Sequence, residues 1–509
     1  MSMDLHPMDE YNERLISHTH PPEWDNHEPN NPYNMVVVGA GTAGLVAAAG
    51  AAQLGARTAL IEKGLMGGDC LNYGCIPSKS LIRCATALDD TLYSGRFNVI
   101  ADGKASINFS GVMERMRRLR SEISRNDSAG RLSANTVNVF LGEAKFTGPD
   151  TLEVKGKELR FSRAIIATGA RAAIPPVKGL EETGYLTNET LFNITEQPAR
   201  LAVIGAGPLG CEMAQTFQRL GSRVVILETA DQVLVKEDPD AADALSESLK
   251  RDGVRLQLAI NEIIEVKRVG NEKIIVYQNK ESDSCESAAV DEILISTGRR
   301  PCVEGLGLED AGVKFDTHSG IEVDDNLRTT NTRIFAAGDV CSRFQFTHAA
   351  DFLARTALAN ALFPVKRKAS ALIIPRCTFT DPQVAHAGIT ERDAAESHIP
   401  VDTFKVPMDN VDRAILDGET EGFVKILVKQ GKDRILGATI VARNAGDMIG
   451  EIVLAMNHKI GLGSISNVIH PYPTQAEAIR KAGDHYNRTR ITPFIRKVLN
   501  RWMAWNRKG

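Results

Sequence analysis

Two stretches of this chain repeat one another closely enough to restrict the fold to a narrow class. Residues 35–38 form a short apolar run that leads into Gly39-Ala40-Gly41-Thr42-Ala43-Gly44. An alanine-rich run follows over 45–54, and a second apolar run over 58–61 ends at Glu62. The pattern recurs at residues 201–204, Gly205-Ala206-Gly207-Pro208-Leu209-Gly210, a helical run to about Leu220, and a strand-like run over 223–227 ending at Glu228. Glu228 stands as far from Gly205 as Glu62 does from Gly39. The glycines let a backbone turn approach a pyrophosphate at a helix N-terminus, and the acid accepts hydrogen bonds from a ribose. A lone GxGxxG is weak evidence, but strand, turn, helix and terminal acid in order, twice, are strong. Two such folds imply two dinucleotides. A carboxylate at 228 bonds a 2′-hydroxyl and repels a 2′-phosphate, which favours NADH and leaves NADPH possible. A solvated strand-end charge is the plainer alternative for Glu228.

Directly after the first unit comes Gly67-Gly68-Asp69-Cys70-Leu71-Asn72-Tyr73-Gly74-Cys75-Ile76-Pro77-Ser78-Lys79. An i, i+5 pair cannot share one face of a regular helix. The chain must distort there, and the two thiols can then reach disulfide distance. Beside a bound nucleotide the pair reads as a redox relay, with two buried structural cysteines as the alternative. A redox disulfide next to two dinucleotide folds implies a tightly held flavin and an exchangeable nicotinamide. Ala164-Ile165-Ile166-Ala167-Thr168-Gly169 and Ile293-Leu294-Ile295-Ser296-Thr297-Gly298 bracket the second unit, as an inserted domain requires. Another buried run ends at Gly338-Asp339, where the Asp could hold a ribityl hydroxyl or cap a helix. From about residue 370, alternating runs over 422–428 and 435–441 predict an antiparallel sheet, with helices near 447–458 and 475–482.

At 509 residues the chain suggests about three domains. A net charge of −4 argues against nucleic-acid binding. The eight cysteines are too few for a disulfide scaffold; Cys84, Cys211, Cys285, Cys302, Cys341 and Cys377 lack metal-like spacing and read as mostly buried thiols in a reducing cytoplasm. No apolar signal core stands at the N-terminus, and the apolar stretch over 35–52 carries the phosphate-loop glycines, so it reads as strand-turn-helix rather than a membrane span. Residues 1–32 are polar, with His6, His18, His20 and His27, and predict a flexible extension with solvated histidines. Residues 488–509 hold seven Lys or Arg and no acid among apolar residues including Trp502 and Trp505. From Pro493 this predicts a basic amphipathic helix, whose apolar side more often buries against its own domain than on an anionic membrane.

With these motifs in hand, the chain resembles the class I flavin disulfide reductases, the family of glutathione reductase, dihydrolipoyl dehydrogenase and mercuric reductase, from about Asn34 to Asn487. The resemblance implies an α/β fold of two Rossmann-like dinucleotide-binding domains, for FAD and NAD, and a C-terminal α+β dimerisation domain. The expected boundaries are 33–168 with 298–368 for FAD, 169–297 for NAD(P), 369–487 for dimerisation and 488–509 for the tail. FAD would be held by Gly39, Gly41, Gly44, Glu62, Lys63, Gly68, Asp69, Lys79, Thr168, Gly169, Gly338 and Asp339. NAD would be held by Gly205, Gly207, Gly210, Glu228 and Gly298. Cys75 would be the thiol against the flavin and Cys70 the interchange thiol that attacks substrate. Lys79 would lie near the flavin with Glu212 as its ion-pair partner.

The choice within the family turns on Ile469-His470-Pro471-Tyr472-Pro473-Thr474-Gln475-Ala476-Glu477. Dihydrolipoyl dehydrogenase and glutathione reductase place a histidine directly before Pro-Thr, oriented by a glutamate. Here Tyr472 takes the histidine's place and Glu477 keeps the glutamate's. Mercuric reductases carry a tyrosine there, and Phe379-Thr380-Asp381-Pro382-Gln383-Val384-Ala385, Asp409-Asn410-Val411-Asp412-Arg413-Ala414 and Gly184-Tyr185-Leu186-Thr187 resemble that subfamily too. The resemblance implies transient Hg²⁺ on Cys70 and Cys75, near Tyr185 and Tyr472, in a homodimer whose subunits share active sites. Two departures stand against it: no cysteine follows Cys377, and Glu228 points to NADH where mercuric reductases usually prefer NADPH. The runner-up is a small-disulfide reductase of the dihydrolipoyl dehydrogenase type using His470. A third reading, of another class, is a redox-responsive flavoprotein that binds a partner.

Overall fold

The computed structural model describes residues 5–99, 105–280, 284–364 and 366–507. The chain divides into two compact units, 1–231 with 252–372, and 232–251 with 373–509.

In the first unit, both predicted repeats form as parallel sheets. Strands Val137–Leu141, Thr58–Glu62, Tyr33–Val38 and Lys157–Ile166 lie side by side, and Ile334–Ala336 pairs with Lys157–Ile166 from the other edge. The register sets Val38 opposite both Ile61 and Ile166, so the strand ends align beside the glycine turn. These strands read as continuous Val, Ile and Leu because a parallel sheet is covered on both faces, and Val36, Val37, Leu60 and Ile165 are fully buried. The second repeat sets Arg255–Gln257, Arg223–Leu227, Arg200–Ile204 and Glu292–Ile295 in the same parallel order. Two connecting segments, Ala170–Ala172 and Arg299–Pro301, pair as an antiparallel ribbon where the chain leaves the first fold and returns.

The second unit is the expected antiparallel sheet, in the order Arg376–Thr378, Gln383–Gly388, Ile435–Ala442, Phe423–Lys429, Val401–Pro407. Helices Ala445–Asn457 and Glu477–Thr489 pack on it, the latter running further than the 475–482 expected. Helix Pro239–Arg251 groups with this unit rather than with the nucleotide fold that flanks it in sequence. The buried ammonium of Lys425 binds Asp238 at 3.0 Å and Asp240 at 2.8 Å, which ties the segment to the sheet.

Three expectations are corrected. The N-terminal extension is ordered from Leu5 on: Glu10–Thr19 is a helix capped by Asp9, and Leu5 and Leu15 are fully buried. Burial of each is worth about 1.5–3 kcal/mol, enough to order a polar segment that composition alone would leave loose. Its histidines are bound rather than solvated. Nδ1 of His18 lies 2.9 Å from Ser124 Oγ, Nδ1 of His20 lies 2.8 Å from the Gly64 carbonyl, and His27 Nε2 lies 3.4 Å from Ser133 Oγ. Residues 1–4 of that extension lie outside the described residues. Second, the tail forms its helix, Pro493–Asn506, but none of its residues is buried, and Phe494, Trp502 and Trp505 are exposed. The expected packing of its apolar face on its own domain is therefore not made among the described residues. Pro493 starts a new helix after the break at 490–492, so the preceding helix does not dictate its path. Residues 508–509 of the tail lie outside the described residues. Third, of the six further cysteines only Cys211 is fully buried and Cys285 is exposed, on the hairpin strand Cys285–Val290. No described helix is long and apolar enough to cross a membrane.

Candidate active site

The first glycine turn is built to take a phosphate. Gly39 has φ +100°, and a Cβ there would sit 2.4 Å from the Ala167 carbonyl oxygen; a Cβ on Gly44 would sit 1.7 Å from the Gly39 carbonyl oxygen. Strand and helix can approach this closely only without side chains. Gly41 caps the helix Thr42–Gln53 with no side-chain hydrogen bond, which leaves the first-turn amides open to an anion. The Glu62 carboxylate accepts from the amides of Ala40 at 2.6 Å and Gly64 at 2.7 Å, fixing it at the rim of the turn. The second turn repeats this. Gly205 has φ +102°, and Glu228 accepts from Ala206 at 2.7 Å and Ala230 at 3.0 Å. Both turns fit a dinucleotide pyrophosphate.

The cysteine stretch folds straight onto the first turn. A Cβ on Gly68 would sit 2.5 Å from Gly41 Cα, and Gly67 donates its amide to the Ala40 carbonyl at 2.8 Å. The expected distortion is there: the short helix Gly68–Asn72 ends, Tyr73 and Gly74 break the path, and Cys75 opens the helix Cys75–Leu92. Cys70 and Cys75 are hydrogen-bonded free thiols, and Cys75 Sγ lies 3.3 Å from Thr347 Oγ1. The bond from Cys70, with the Thr347 hydroxyl and the Lys79 cation, holds Cys75 down at about 6 against the opposing effect of burial. Cys70 is pushed up by that same bond and by burial. Both directions favour a thiolate on Cys75 over one on Cys70.

Lys79 Nζ donates to Glu212 Oε2 at 2.8 Å; Glu212 is 4% exposed and belongs to the second repeat's own dinucleotide helix, Pro208–Arg219, within the same compact unit. Asp69 accepts from Asn188 at 2.8 Å and pairs with Arg299 at 2.8 Å, and Arg299 also faces Asp339 at 3.5 Å. Burial raises Asp339 to about 6, against the pull of Arg299. Thr168 donates to the Cys302 carbonyl at 2.7 Å. Lys63 stands apart, partly exposed and 3.9 Å from Glu143. Asn188, Arg299 and Thr347 escaped the sequence reading. Arg299 alone left a signal, directly after Thr297-Gly298.

Tyr185 is engaged elsewhere: its hydroxyl donates to Glu181 at 3.0 Å and its ring packs on the core of the second nucleotide fold. In the other compact unit, Tyr472 is 70% exposed and donates to Asp412 Oδ2 at 2.8 Å, which joins two motifs read separately in the sequence. Asp412 pushes the Tyr472 phenol up. Glu477 is buried, with Oε1 on Arg480 at 2.8 Å and Oε2 without a hydrogen-bond partner. Both nitrogens of His470 are occupied, Nε2 by Glu451 at 3.0 Å and Nδ1 by the Val468 carbonyl at 3.0 Å. Among the described residues, no cluster of three or more His, Cys, Asp or Glu could hold a metal ion.

The family model for pyridine nucleotide-disulphide oxidoreductases matches residues 33–352, and the model for that family's dimerisation domain matches 374–483. The chain belongs to this family. It is 33% identical over 458 residues to a mercuric reductase of Bacillus cereus, covering 90% of this chain and 72% of that protein. It is 35% identical over 464 residues to a dihydrolipoyl dehydrogenase of Corynebacterium glutamicum, covering 88% and 97%. Among solved structures it is similar to the Cu(II) complex of the HOCl-induced flavoprotein disulfide reductase RclA from Escherichia coli, with a TM-score of 0.78, 28% identity and coverage of 89% and 99%. The chain is thus an FAD-dependent oxidoreductase that uses NAD(P)H, and its dimerisation domain supports a homodimer.

Proposed function

We propose that Cys70 and Cys75 are the redox couple of this oxidoreductase, and that a soft metal ion, Hg²⁺, is its acceptor in preference to a small disulfide. The observation that carries the couple is the cysteine turn folded directly onto the first dinucleotide turn, Gly68 against Gly41 and the Gly67 amide on the Ala40 carbonyl. FAD held there would supply two-electron chemistry between the reduced nicotinamide and the Cys70–Cys75 disulfide. Gly39, Gly41, Gly44, Gly68 and Glu62 hold the first dinucleotide, with Asp69, Thr168, Gly169, Gly338 and Asp339 along its length. Gly205, Gly207, Gly210, Glu228 and Gly298 hold NADH. Lys79, paired with Glu212, favours negative charge on Cys75. Cys70 is the outer thiol that meets the acceptor.

The acceptor reading rests on the C-terminal motif. Disulfide exchange needs a free acid-base group, and imidazole suits that task near neutral pH. His470 has both ring nitrogens engaged, and Tyr472 is a phenol pushed up by Asp412. Soft thiolates bind Hg²⁺ without such a base. The net reaction is NADH plus Hg²⁺ giving NAD⁺, H⁺ and Hg⁰. In the homodimer, Tyr472 and Glu477 of one subunit complete the other's site. The proposed parts are 33–168 with 298–368 for FAD, 169–297 for nicotinamide and 369–487 for dimerisation. Anaerobic NADH oxidation with Hg²⁺ and excess small thiol, set against lipoamide, decides the acceptor. Mercury-dependent turnover supports the reading; lipoamide turnover alone overturns it.

The tail carries a second reading, because every residue of Pro493–Asn506 escapes burial while its charges are all positive. Its occupant is an anionic lipid surface: basic residues meet the headgroups, and Phe494, Trp502 and Trp505 enter the interface. Liposomes of anionic composition should pellet the full chain but not one ending at residue 487. Equal pelleting of the two sinks the idea.

A further inference from the structure

The N-terminal helix Glu10–Thr19 packs against the back of the cysteine turn. Leu5 and Leu15 share a small core with Leu65 and Leu71, against which Ile16, Tyr73 and Ile76 also pack. Leu71 and Tyr73 lie between the two cysteines in sequence, and Ile76 directly follows the second. Arg120 runs through this core with no exposure at all. Its Nη1 donates to the Asn72 carbonyl at 2.8 Å, midway between Cys70 and Cys75, and its Nη2 donates to Asn12 Oδ1 at 2.7 Å, while its buried Nε has no hydrogen-bond partner. Both bonded partners are neutral. The charged and titratable groups that face it are Tyr73, Arg117 and Asp9, and Asp9 is itself held by Arg117 at 2.6 Å. Asn12 is fully buried and fixed from its other end, its amide nitrogen donating to the Pro7 carbonyl at 2.8 Å.

Burying a cation is costly, and with its Nε already unpartnered Arg120 depends on the bonds its two terminal nitrogens make. Without Asn12, one end of Arg120 has no oxygen to bind, and its grip on the Asn72 carbonyl has nothing to pull against. The N-terminal segment therefore supplies half of a clamp whose other half is the peptide between the cysteines.

We propose that residues 5–19 act, through Asn12 and Arg120, as a positioning brace that sets the redox potential of the Cys70–Cys75 couple. The inference rests on the reading that this pair is a redox couple. Its physical basis is effective concentration. A turn held from behind keeps each thiol at high local concentration for the other and so favours the disulfide. A turn that loses the brace relaxes in the dithiol form, which favours reduction. Loss of the clamp thus makes the disulfide easier to reduce. Asn12 and Arg120 are positioning residues here, acting on the couple through the Asn72 peptide.

The test is a glutathione redox titration of the purified holoenzyme, with the oxidation state of Cys70 and Cys75 read by alkylation and mass spectrometry. At equilibrium, two glutathione thiols give up two electrons and two protons to form one disulfide as the Cys70–Cys75 bond opens to two thiols. Asn12→Leu removes the acceptor while keeping bulk. It should lower the equilibrium constant for disulfide formation about tenfold, a shift of about 30 mV for a two-electron couple. Asn12→Asp keeps an oxygen at the same place and should stay within about threefold of the wild type. Arg120→Met should move the couple in the same direction as Asn12→Leu; because it leaves both the Asn72 carbonyl and Asn12 Oδ1 without their donor, the decision rests on the Asn12 pair. A lower melting temperature in Asn12→Leu with an unchanged constant overturns the brace and leaves a merely structural helix. If the wild-type pair forms no disulfide at any glutathione ratio, the redox reading itself has failed, and the brace with it.

Discussion

The two glycine turns share their backbone and differ in what lies over them. Gly39 and Gly205 take φ of +100° and +102°, and an added Cβ on either would strike a carbonyl oxygen at 2.4 or 2.5 Å. Glu62 and Glu228 each accept from two backbone amides at the turn. Yet a Cβ on Gly41 would meet Gly68 Cα at 3.7 Å, whereas one on Gly207 would meet nothing within 4 Å. The cysteine loop closes over the first turn, and the second stays open. A covered turn suits a resident cofactor, and an open one suits a cofactor that must come and go. On the proposed assignment the same phosphate-binding geometry would serve two kinetic roles, and the difference lies in the segment that follows the terminal acid.

The largest effect should come from the loop that covers the first turn. Cys70→Ser should lower acceptor turnover by at least about 10³-fold, as removal of a nucleophile does, while flavin reduction by NADH persists in stopped-flow absorbance. Undiminished turnover would falsify the interchange role and favour a protein that only reports its redox state to a partner. Next, Gly68→Ala forces a Cβ into Gly41 at a positive φ and should cost about 2–3 kcal/mol with release of FAD. Gly207→Ala, in open space, should stay within about 0.5 kcal/mol in a thermal melt. Equal losses from the two would break the contrast between covered and open turns. Glu228→Gln removes the charge that repels a 2′-phosphate and keeps an acceptor. The ratio of KM values should move toward NADPH by about tenfold, or about 1.4 kcal/mol, and no movement would mean that Glu228 is only a strut for its two amides.

The smallest effect concerns pH. Cys75 sits at about 6, below the ordinary thiol value, so the reduced protein binds fewer protons there than its unfolded chain does. Cys75 therefore contributes stability that is fully present above the unfolded thiol value and is lost as pH falls through about 6. Cys70, pushed up, acts oppositely once the pH passes the ordinary thiol value. Alkylation of the reduced pair should show one fast thiol with an inflection near 6, and Lys79→Met should move that inflection upward. A single inflection in the ordinary thiol range would mean that the pair does not share a proton in this way.

Much of the fold was legible because its rules are local. A glycine with positive φ beside a carbonyl, a run of branched residues in a sheet covered on both faces, and an acid at the strand end all leave marks within one short stretch. The cysteine turn was equally legible, since an i, i+5 pair of thiols cannot meet on one face of a continuous helix. The extension was misread for the opposite reason. Its order comes from Leu5, Leu15 and Asn12 meeting partners such as Arg120, which lies 108 residues from Asn12.

The sequence by itself determined that the chain carries two dinucleotide turns, a cysteine pair after the first and an antiparallel domain beyond them. Steric demands and side-chain periodicity are written residue by residue. Only the tertiary structure decided that Arg299 stands between Asp69 and Asp339, that Tyr472 meets Asp412, and that Arg120 joins the N-terminal helix to the peptide between the cysteines. Each is a polar contact between distant segments, and such a contact depends on where packing brings two backbones, which no local pattern records.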